Sequence, residues 1–321
     1  MCPACMATVA LLVGSAVSSG GVAALVVSKL RGKGKGHRPS GEDECNEGNG
    51  GEATETVGSN RNQESKKEDR VMNQSAIEHP RVVTQTEWIA ARKELLAKEK
   101  SLTRQRDALA EERRKLPWVK VEKNYVFETP GGKKTLAELF GGASQMAIYH
   151  FMLGPDWEQG CPSCSLLADH FDNLGIHLAQ RDVRLTIVSR APLSKIETFK
   201  KRMEWKFPWA SSFGSEFNFD FGVSVPKEDA AKEHIYNYAP TKFPSEERPG
   251  MSIFYKNAKG EVFHTYSVYA RGLEDFMSVY AILDRVPKGR DEAGLPHGMA
   301  WVRHHDRYPE SNAAEVKTAK T

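Results

Sequence analysis

The run Gln145-Met-Ala-Ile-Tyr-His-Phe-Met152, the turn-rich Leu153-Gly-Pro-Asp-Trp-Glu-Gln-Gly160, the tetrapeptide Cys161-Pro-Ser-Cys164 and then Ser165-Leu-Leu-Ala-Asp-His-Phe-Asp-Asn-Leu174 decide how this chain is read. The first run is apolar throughout and reads as a buried strand. The last carries its apolar residues at helical spacing. The two cysteines therefore fall between a strand and the first turn of a helix. Free backbone N–H groups and the helix dipole stabilise a thiolate at that position. Cys161 is the candidate nucleophile, and Cys164, one turn further in, the candidate resolving thiol. Pro162 suits the first turn because no N–H donor is needed there. Thiol–disulfide exchange needs an attacking thiolate and a second thiol to release the mixed disulfide, and this spacing supplies both.

Working outward, Val183–Ser189 reads as another strand, and Pro192 opens a helix that runs to about Met203. Phe207–Phe221 is an aromatic-rich connection. Ser252–Tyr255 and Val262–Ser267 form a hairpin around Asn257-Ala-Lys-Gly260, and Leu273–Val286 closes the pattern as an amphipathic helix. Upstream, Trp118–Phe127 alternates loosely as strands, Pro130-Gly-Gly132 marks a turn, and Leu136–Phe140 reads as a short helical turn. A long charged helix over 84–116 precedes them, capped by Thr84 or Thr86 with Glu87 in its first turn. Trp88, Leu95, Leu102, Leu109 and Leu116 recur every seven residues along it, while Lys98, Glu99, Gln105 and Glu112 fill the companion positions. So narrow a stripe favours a helix lying along its own domain over a dimerising coiled coil. The order strand, helix, strand, helix, hairpin, helix describes an α/β layer with parallel strands and an antiparallel end.

The remainder of the 321 residues is of a different kind. Met6–Ser28 is an uncharged run of 23 residues followed by Lys29, Arg31, Lys33 and Lys35. Its length and one-sided basic flank predict a membrane anchor over 1–36, a transmembrane helix that leaves the main domain in the cytoplasm. Residues 37–82, rich in Gly, Glu, Asn, Ser and Lys, predict a disordered linker, and residues 311–321 a disordered tail. A net charge of +3 with both signs interspersed gives no nucleic-acid footprint. Five cysteines do not make a disulfide scaffold. Cys2 and Cys5 form a second CxxC to which no role is assigned, and Cys45 is incidental.

A CxxC after the central strand of such an element order resembles the thioredoxin fold. The fold class expected is thus a thioredoxin-like three-layer sandwich over 83–310 with a long N-terminal helix. Pro249-Gly-Met-Ser-Ile-Phe254 runs into the hairpin strand, and the resemblance implies that Pro249 is the cis-proline beside the CxxC that helps to bind disulfide substrates. The motifs Trp88-Ile-Ala-Ala-Arg-Lys-Glu-Leu-Leu-Ala-Lys-Glu-Lys100, Leu116-Pro-Trp118, Tyr149-His-Phe-Met-Leu-Gly-Pro-Asp-Trp157, Cys161-Pro-Ser-Cys164 and Trp301-Val-Arg-His-His-Asp306 together resemble the DUF899 family, a group of thioredoxin-like proteins. That resemblance covers about Val83 to Tyr308 and implies a fold without implying a reaction.

The reaction expected is thiol–disulfide exchange on a protein or small-molecule disulfide, with no organic cofactor required. Three rivals stand beside it. One is a thiol peroxidase, in which Arg190 and Arg271 are the available cations; the second is a non-catalytic binding domain; the third is a metal site of Cys161, Cys164 and histidines. His150, His264, His304 and His305 are the candidate bases or ligands, with structural roles as the alternative. Trp157 is a candidate for shielding the site and contacting substrate, with packing in the loop as the alternative. Asp156 and Glu158, just ahead of the cysteines, are expected to raise the thiolate pKa.

Overall fold

The computed structural model describes residues 80–309. The anchor over 1–36, almost all of the linker over 37–82, the tail over 311–321, and with them Cys2, Cys5 and Cys45 lie outside the described residues. Among the described residues no helix is long and apolar enough to cross a membrane.

In chain order the elements are α1 (Gln85–Arg114), β1 (Val119–Lys120), β2 (Val126–Thr129), β3 (Gly132–Thr135), α2 (Leu136–Leu139), β4 (Gln145–His150), α3 (Pro162–Asp169) and α4 (Leu174–Ala179). There follow β5 (Val183–Ser189), α5 (Leu193–Arg202), β6 (Trp209–Ser211), α6 (Phe217–Asp220), β7 (Glu233–Tyr236), β8 (Ala239–Lys242), β9 (Gly250–Lys256), β10 (Val262–Tyr269) and α7 (Ser278–Leu283). Eight strands form one sheet in the order β1-β10-β9-β4-β5-β6-β2-β3. β4 is parallel to β5 and antiparallel to β9, with Ile148 facing Thr186 on one side and Ser252 on the other. The stretch β10-β9-β4-β5 is the thioredoxin-like order, with α3 crossing from β4 to β5 behind the cysteines.

Side chains alternate along β4, so each face of the sheet has its own core. Ala147 and Tyr149 join Cys164, Leu167, Ile187, Ile196, Phe199 and Trp209 on one face. Met146 and Ile148 join Phe127, Leu139, Phe140, Phe217 and Phe254 on the other. The helices are thereby divided, α3, α5 and α7 to the first face and α2 and α6 to the second.

Local chemistry sets several boundaries. Thr84 caps α1 by accepting the Glu87 N–H at 3.3 Å, while the Glu87 carboxylate accepts the Thr84 N–H at 3.0 Å. Thr135 and Glu138 repeat the device at α2. The helix after the cysteines was expected to run to Leu174, but α3 ends at Asp169. Asn173 there adopts a left-handed φ of 66°, which an Asn tolerates, and starts α4 in a new direction. The single helix expected over Leu273–Val286 is also divided. A 3-10 segment, Ala270–Phe276, comes first, and Met277 then turns extended to bury its side chain before α7.

No residue of α1 is buried, and Trp88, Leu95, Leu102, Leu109 and Leu116 all stay exposed. The helix reaches the domain through charged tips, with Arg106 3.8 Å from Asp275 and Arg113 over the Tyr266 ring at 5.6 Å. Its stripe, one residue wide and flanked by charges, does not cover the sheet. An element not expected from the sequence is β7–β8, a hairpin that forms its own two-stranded sheet. Asn237 and Tyr238 link its strands, at φ 53° and 65°, as the two left-handed residues of a type I′ turn.

Candidate functional site

The cysteines stand where the sheet meets α3. Cys161 is the N-cap residue of α3, and Pro162 occupies the first turn. The Cys161 N–H donates to the Met152 carbonyl at 3.1 Å, which ties the loop back to the end of β4. Cys161 is partly exposed, and Cys164 is buried in the core. Their thiols differ accordingly. The Cys164 thiol hydrogen bonds to the Cys161 sulfur, and with the backbone N–H groups of Cys164 and Ser163 it brings Cys161 down to about 7 against the opposing effect of burial. Burial pushes the Cys164 thiol far up, and the adjacent Cys161 thiolate adds to this. Tyr149, fully buried on β4, offers its hydroxyl to the Cys164 sulfur.

The loop over 153–160 was expected to work against the thiolate. Its Asp156 is instead ion-paired with Lys227 at 3.0 Å and held low by that partner. With the carboxylate matched, the helix N–H groups and Cys164 decide the outcome at Cys161. Gly160 has no room for a side chain, because a Cβ there would sit 2.8 Å from the Phe199 ring and closer still to that of Phe151. The loop is also held from above. His304 donates from Nε2 to the Gly160 carbonyl at 2.8 Å and accepts at Nδ1 from Arg202 at 3.1 Å, and Arg202 forks onto Asp306 at 2.8 Å. Those two bonds fix His304 as the neutral Nε2–H tautomer.

The structure separates the sequence-derived candidates. His304 is beside the cysteines through the Gly160 backbone, a role in positioning the loop. His305 bonds Asp169 at 2.8 Å and fastens the C-terminal segment to the end of α3. His150 and His264 lie across the sheet. His150 stacks on Phe217 and Phe221, with interplanar angles of 30° and 28°, and its Nε2 meets Ser252 Oγ at 2.8 Å. Ser252 continues to Ser267 at 2.8 Å, and Ser267 to His264 at 2.7 Å. Strand alternation turns His150 away from the face that holds Cys164, so neither histidine serves as its base. Among the described residues no three His, Cys, Asp or Glu side chains come together as a metal site.

Burial holds His150 down to about 3, with His264 a secondary cause. An unfolded histidine titrates near 6.5, so between these limits unfolding takes up a proton and stability falls as pH drops. His150→Phe is expected to remove up to about 1.4 kcal/mol of that loss per pH unit below 6.5. Urea unfolding at pH 7 and pH 5 measures it; equal pH slopes for the two proteins would contradict this account.

The cis form expected of Pro249 is corrected, and Trp157 takes the packing alternative. Every peptide bond among the described residues is trans, that of Pro249 included. Glu247 already pairs with Ser224 and the Arg248 N–H already bonds Val223, so the chain enters Pro249 extended and continues straight into β9. Pro249 nevertheless lines the same cavity as Ser163 and Cys164. Trp157 turns its indole N–H to Glu246 at 2.8 Å and packs on the core, which makes it part of the loop's own support.

The sequence reading passed over Glu246-Glu247-Arg248. Glu247 is buried and accepts from Arg190 Nε at 2.6 Å and from Ser224 at 2.7 Å. Glu246 holds Trp157 and approaches Arg190 at 3.5 Å. Arg190, offered by the sequence as a cation available to a peroxide, is thus the partner of two carboxylates. Arg248 is buried with no hydrogen-bond partner for its guanidinium, which faces the Tyr236 and Phe243 rings at 5.7 and 6.0 Å. Three consecutive charges so close to an apolar strand were the available signal, since charged side chains are rarely buried without a role.

The family model described as "Bacterial protein of unknown function (DUF899)" matches residues 77–308. No curated protein matches the sequence. Among solved structures, the chain is similar to a cysteine-to-serine mutant of Xanthomonas campestris peroxiredoxin Q, with 16% identity over 50% of this chain and 89% of that one and a TM-score of 0.33. A cysteine-to-serine mutant of Xylella fastidiosa PrxQ matches at 14% identity over 50% and 89%, with a TM-score of 0.32. Peroxidoxin BcpB from Mycobacterium tuberculosis matches at 13% identity over 51% and 94%, with a TM-score of 0.34.

Proposed function

The chain belongs to the DUF899 family, bacterial proteins of unknown function, and we propose that it is a thiol–disulfide oxidoreductase working through Cys161 and Cys164. The observation that carries this reading is the asymmetry of the pair: one thiol partly exposed and brought to about 7, the other buried and pushed up beside it. At neutral pH Cys161 is substantially thiolate and attacks one sulfur of a disulfide. The substrate's S–S bond breaks, the first substrate thiol leaves, and a mixed disulfide forms on Cys161. Charge on Cys161 is then gone, and so is its share of the penalty on Cys164. The Cys164 thiol loses its proton and attacks the Cys161 sulfur, releasing the second substrate thiol.

A peroxidase would need a cation free to meet the peroxide. Arg190 is held by Glu247 and Glu246, and Arg271 by Glu274 at 2.9 Å. Both arginines considered for that chemistry are therefore engaged, and the Arg248 guanidinium, which has no hydrogen-bond partner, is buried against the Tyr236 and Phe243 rings.

The test is the pH dependence of alkylation. With Cys2, Cys5 and Cys45 replaced by Ser, the rate of Cys161 carbamidomethylation by iodoacetamide should rise as pH increases through about 7. Mild oxidation should join Cys161 to Cys164, seen by mass spectrometry as protection of both. A midpoint at the ordinary thiol value of about 8.5, with no intramolecular disulfide, would sink the proposal.

A further inference from the structure

A cavity of about 420 Å³ opens beside α3, and its floor includes Ser163, Cys164 and Tyr149. It is walled on both sides. Tyr236 and Phe243, from the β7–β8 hairpin and the strand end that follows it, form one wall; Leu273, Met277 and Met299 form the other. The hairpin wall is anchored. The Tyr236 hydroxyl donates to the Pro249 carbonyl at 2.7 Å and accepts the Ala270 N–H at 3.1 Å. The Tyr236 ring also packs on Phe243 and Tyr269, at 5.8 and 5.6 Å between centroids. Of the charged side chains that line the cavity, Glu274 is shared between Arg271 at 2.9 Å and Arg290 at 2.8 Å, and Arg271 turns out to solvent.

We propose that this cavity, lined by Cys164 and not by Cys161, holds the apolar body of the dithiol's substrate while the substrate's S–S bond reaches the Cys161 sulfur that Cys164 hydrogen bonds, and that the substrate is a small, uncharged organic disulfide. The inference rests on the redox reading of Cys161 and Cys164 and narrows its substrate class. A volume of this size accommodates a small molecule and not a folded partner. Aromatic rings and two methionines give it an adaptable, polarisable lining suited to alkyl or aryl groups. A protein disulfide would have to pass between the hairpin and the Ala270–Met277 segment. A charged disulfide would have to lay its charges against the Tyr236, Phe243, Leu273, Met277 and Met299 side chains, which offer them no partner. The dithiol delivers two electrons and two protons to the substrate: one S–S bond breaks, two substrate thiols leave, and the Cys161–Cys164 disulfide forms.

The test uses the full chain with Cys2, Cys5 and Cys45 changed to Ser, reduced and freed of reductant, in single-turnover stopped flow. The probes are 4,4′-dithiodipyridine as the neutral aromatic disulfide, glutathione disulfide as the charged one, and insulin as the protein. To remove their intrinsic reactivities, each rate is divided by the rate of that probe with free cysteine. The normalised rate should be highest for dithiodipyridine, by about tenfold or more over the other two. Ala239→Trp, which places an indole in the cavity, should lower that rate about tenfold or more while leaving alkylation of Cys161 by iodoacetamide unchanged. Equal normalised rates for the three probes in the parent protein, or an Ala239→Trp protein that keeps the dithiodipyridine rate, would overturn the proposal. Loss of the alkylation midpoint in the parent protein itself would instead bring down the dithiol reading, so the two failures are distinguishable.

Discussion

Mixed with an excess of a small disulfide, the reduced protein should release two substrate thiols per molecule, Cys164→Ser one, and Cys161→Ser none. The background again carries Ser at positions 2, 5 and 45. The difference follows from where the two sulfurs sit. Cys161 caps α3 and is partly exposed, so its thiolate both exists near neutral pH and meets the substrate. A serine hydroxyl in its place has no accessible anion, and Cys164 is held protonated by burial. Cys164→Ser keeps the attacking thiolate and a hydroxyl able to donate to it, but has no sulfur to resolve the mixed disulfide. The protein should then carry the mass of one substrate half. Equal thiol release by the two single variants would show that the order of attack assigned to the cysteines is wrong.

Arg190→Ala is expected to cost about 3–5 kcal/mol of folding stability, because it leaves Glu247 buried without its cation. The Glu247 side chain is 1% exposed and meets Arg190 Nε at 2.6 Å. On a total stability of about 5–15 kcal/mol for a domain, a loss of that size is severe. The same substitution removes the Arg190 approach to Glu246, whose other partner is Trp157 in the loop ahead of the cysteines. Burial already raises the Glu247 carboxyl, and losing the guanidinium raises it further. A protonated Glu247 does not need the cation, so the deficit relative to the parent should shrink as pH falls into the carboxylate range. Urea midpoints at pH 7 and pH 5 measure this, and Arg190→Met with Glu247→Leu should recover much of the loss. A deficit below about 1 kcal/mol for Arg190→Ala would mean the pair behaves as an exposed one.

The central layer of the fold was legible because its signals are local. The apolar run before Cys161, the alternation over 183–189 and the Asn257-Ala-Lys-Gly260 turn each record a constraint on the segment that carries it. So do the Thr84–Glu87 cap and Pro162 in the first turn of α3. The hairpin β7–β8 was less legible. It pairs with itself alone, its strands are four residues each, and Pro240 lies within the second, so its pattern is short and weak. The helix over 84–116 was read as a helix along its own domain, and its apolar stripe stays exposed. Heptad spacing reports which residues share a stripe; it does not report what, if anything, lies against them.

At the site, the sequence by itself determined that Cys161 stands at a helix N-terminus with Cys164 one turn further in, because a strand–CxxC–helix order fixes that placement whatever surrounds it. It could not determine what surrounds it. His150 and His304 were equal candidates in the sequence, yet strand alternation sends His150 across the sheet while a return of the chain lays His304 against Gly160. Asp156 looked unfavourable to a thiolate until Lys227, 71 residues away, neutralised it. The cavity beside Cys164 is made by segments around positions 149, 163, 236 and 273. Distances of that kind belong to packing between segments remote in the chain, and only the tertiary structure decided them.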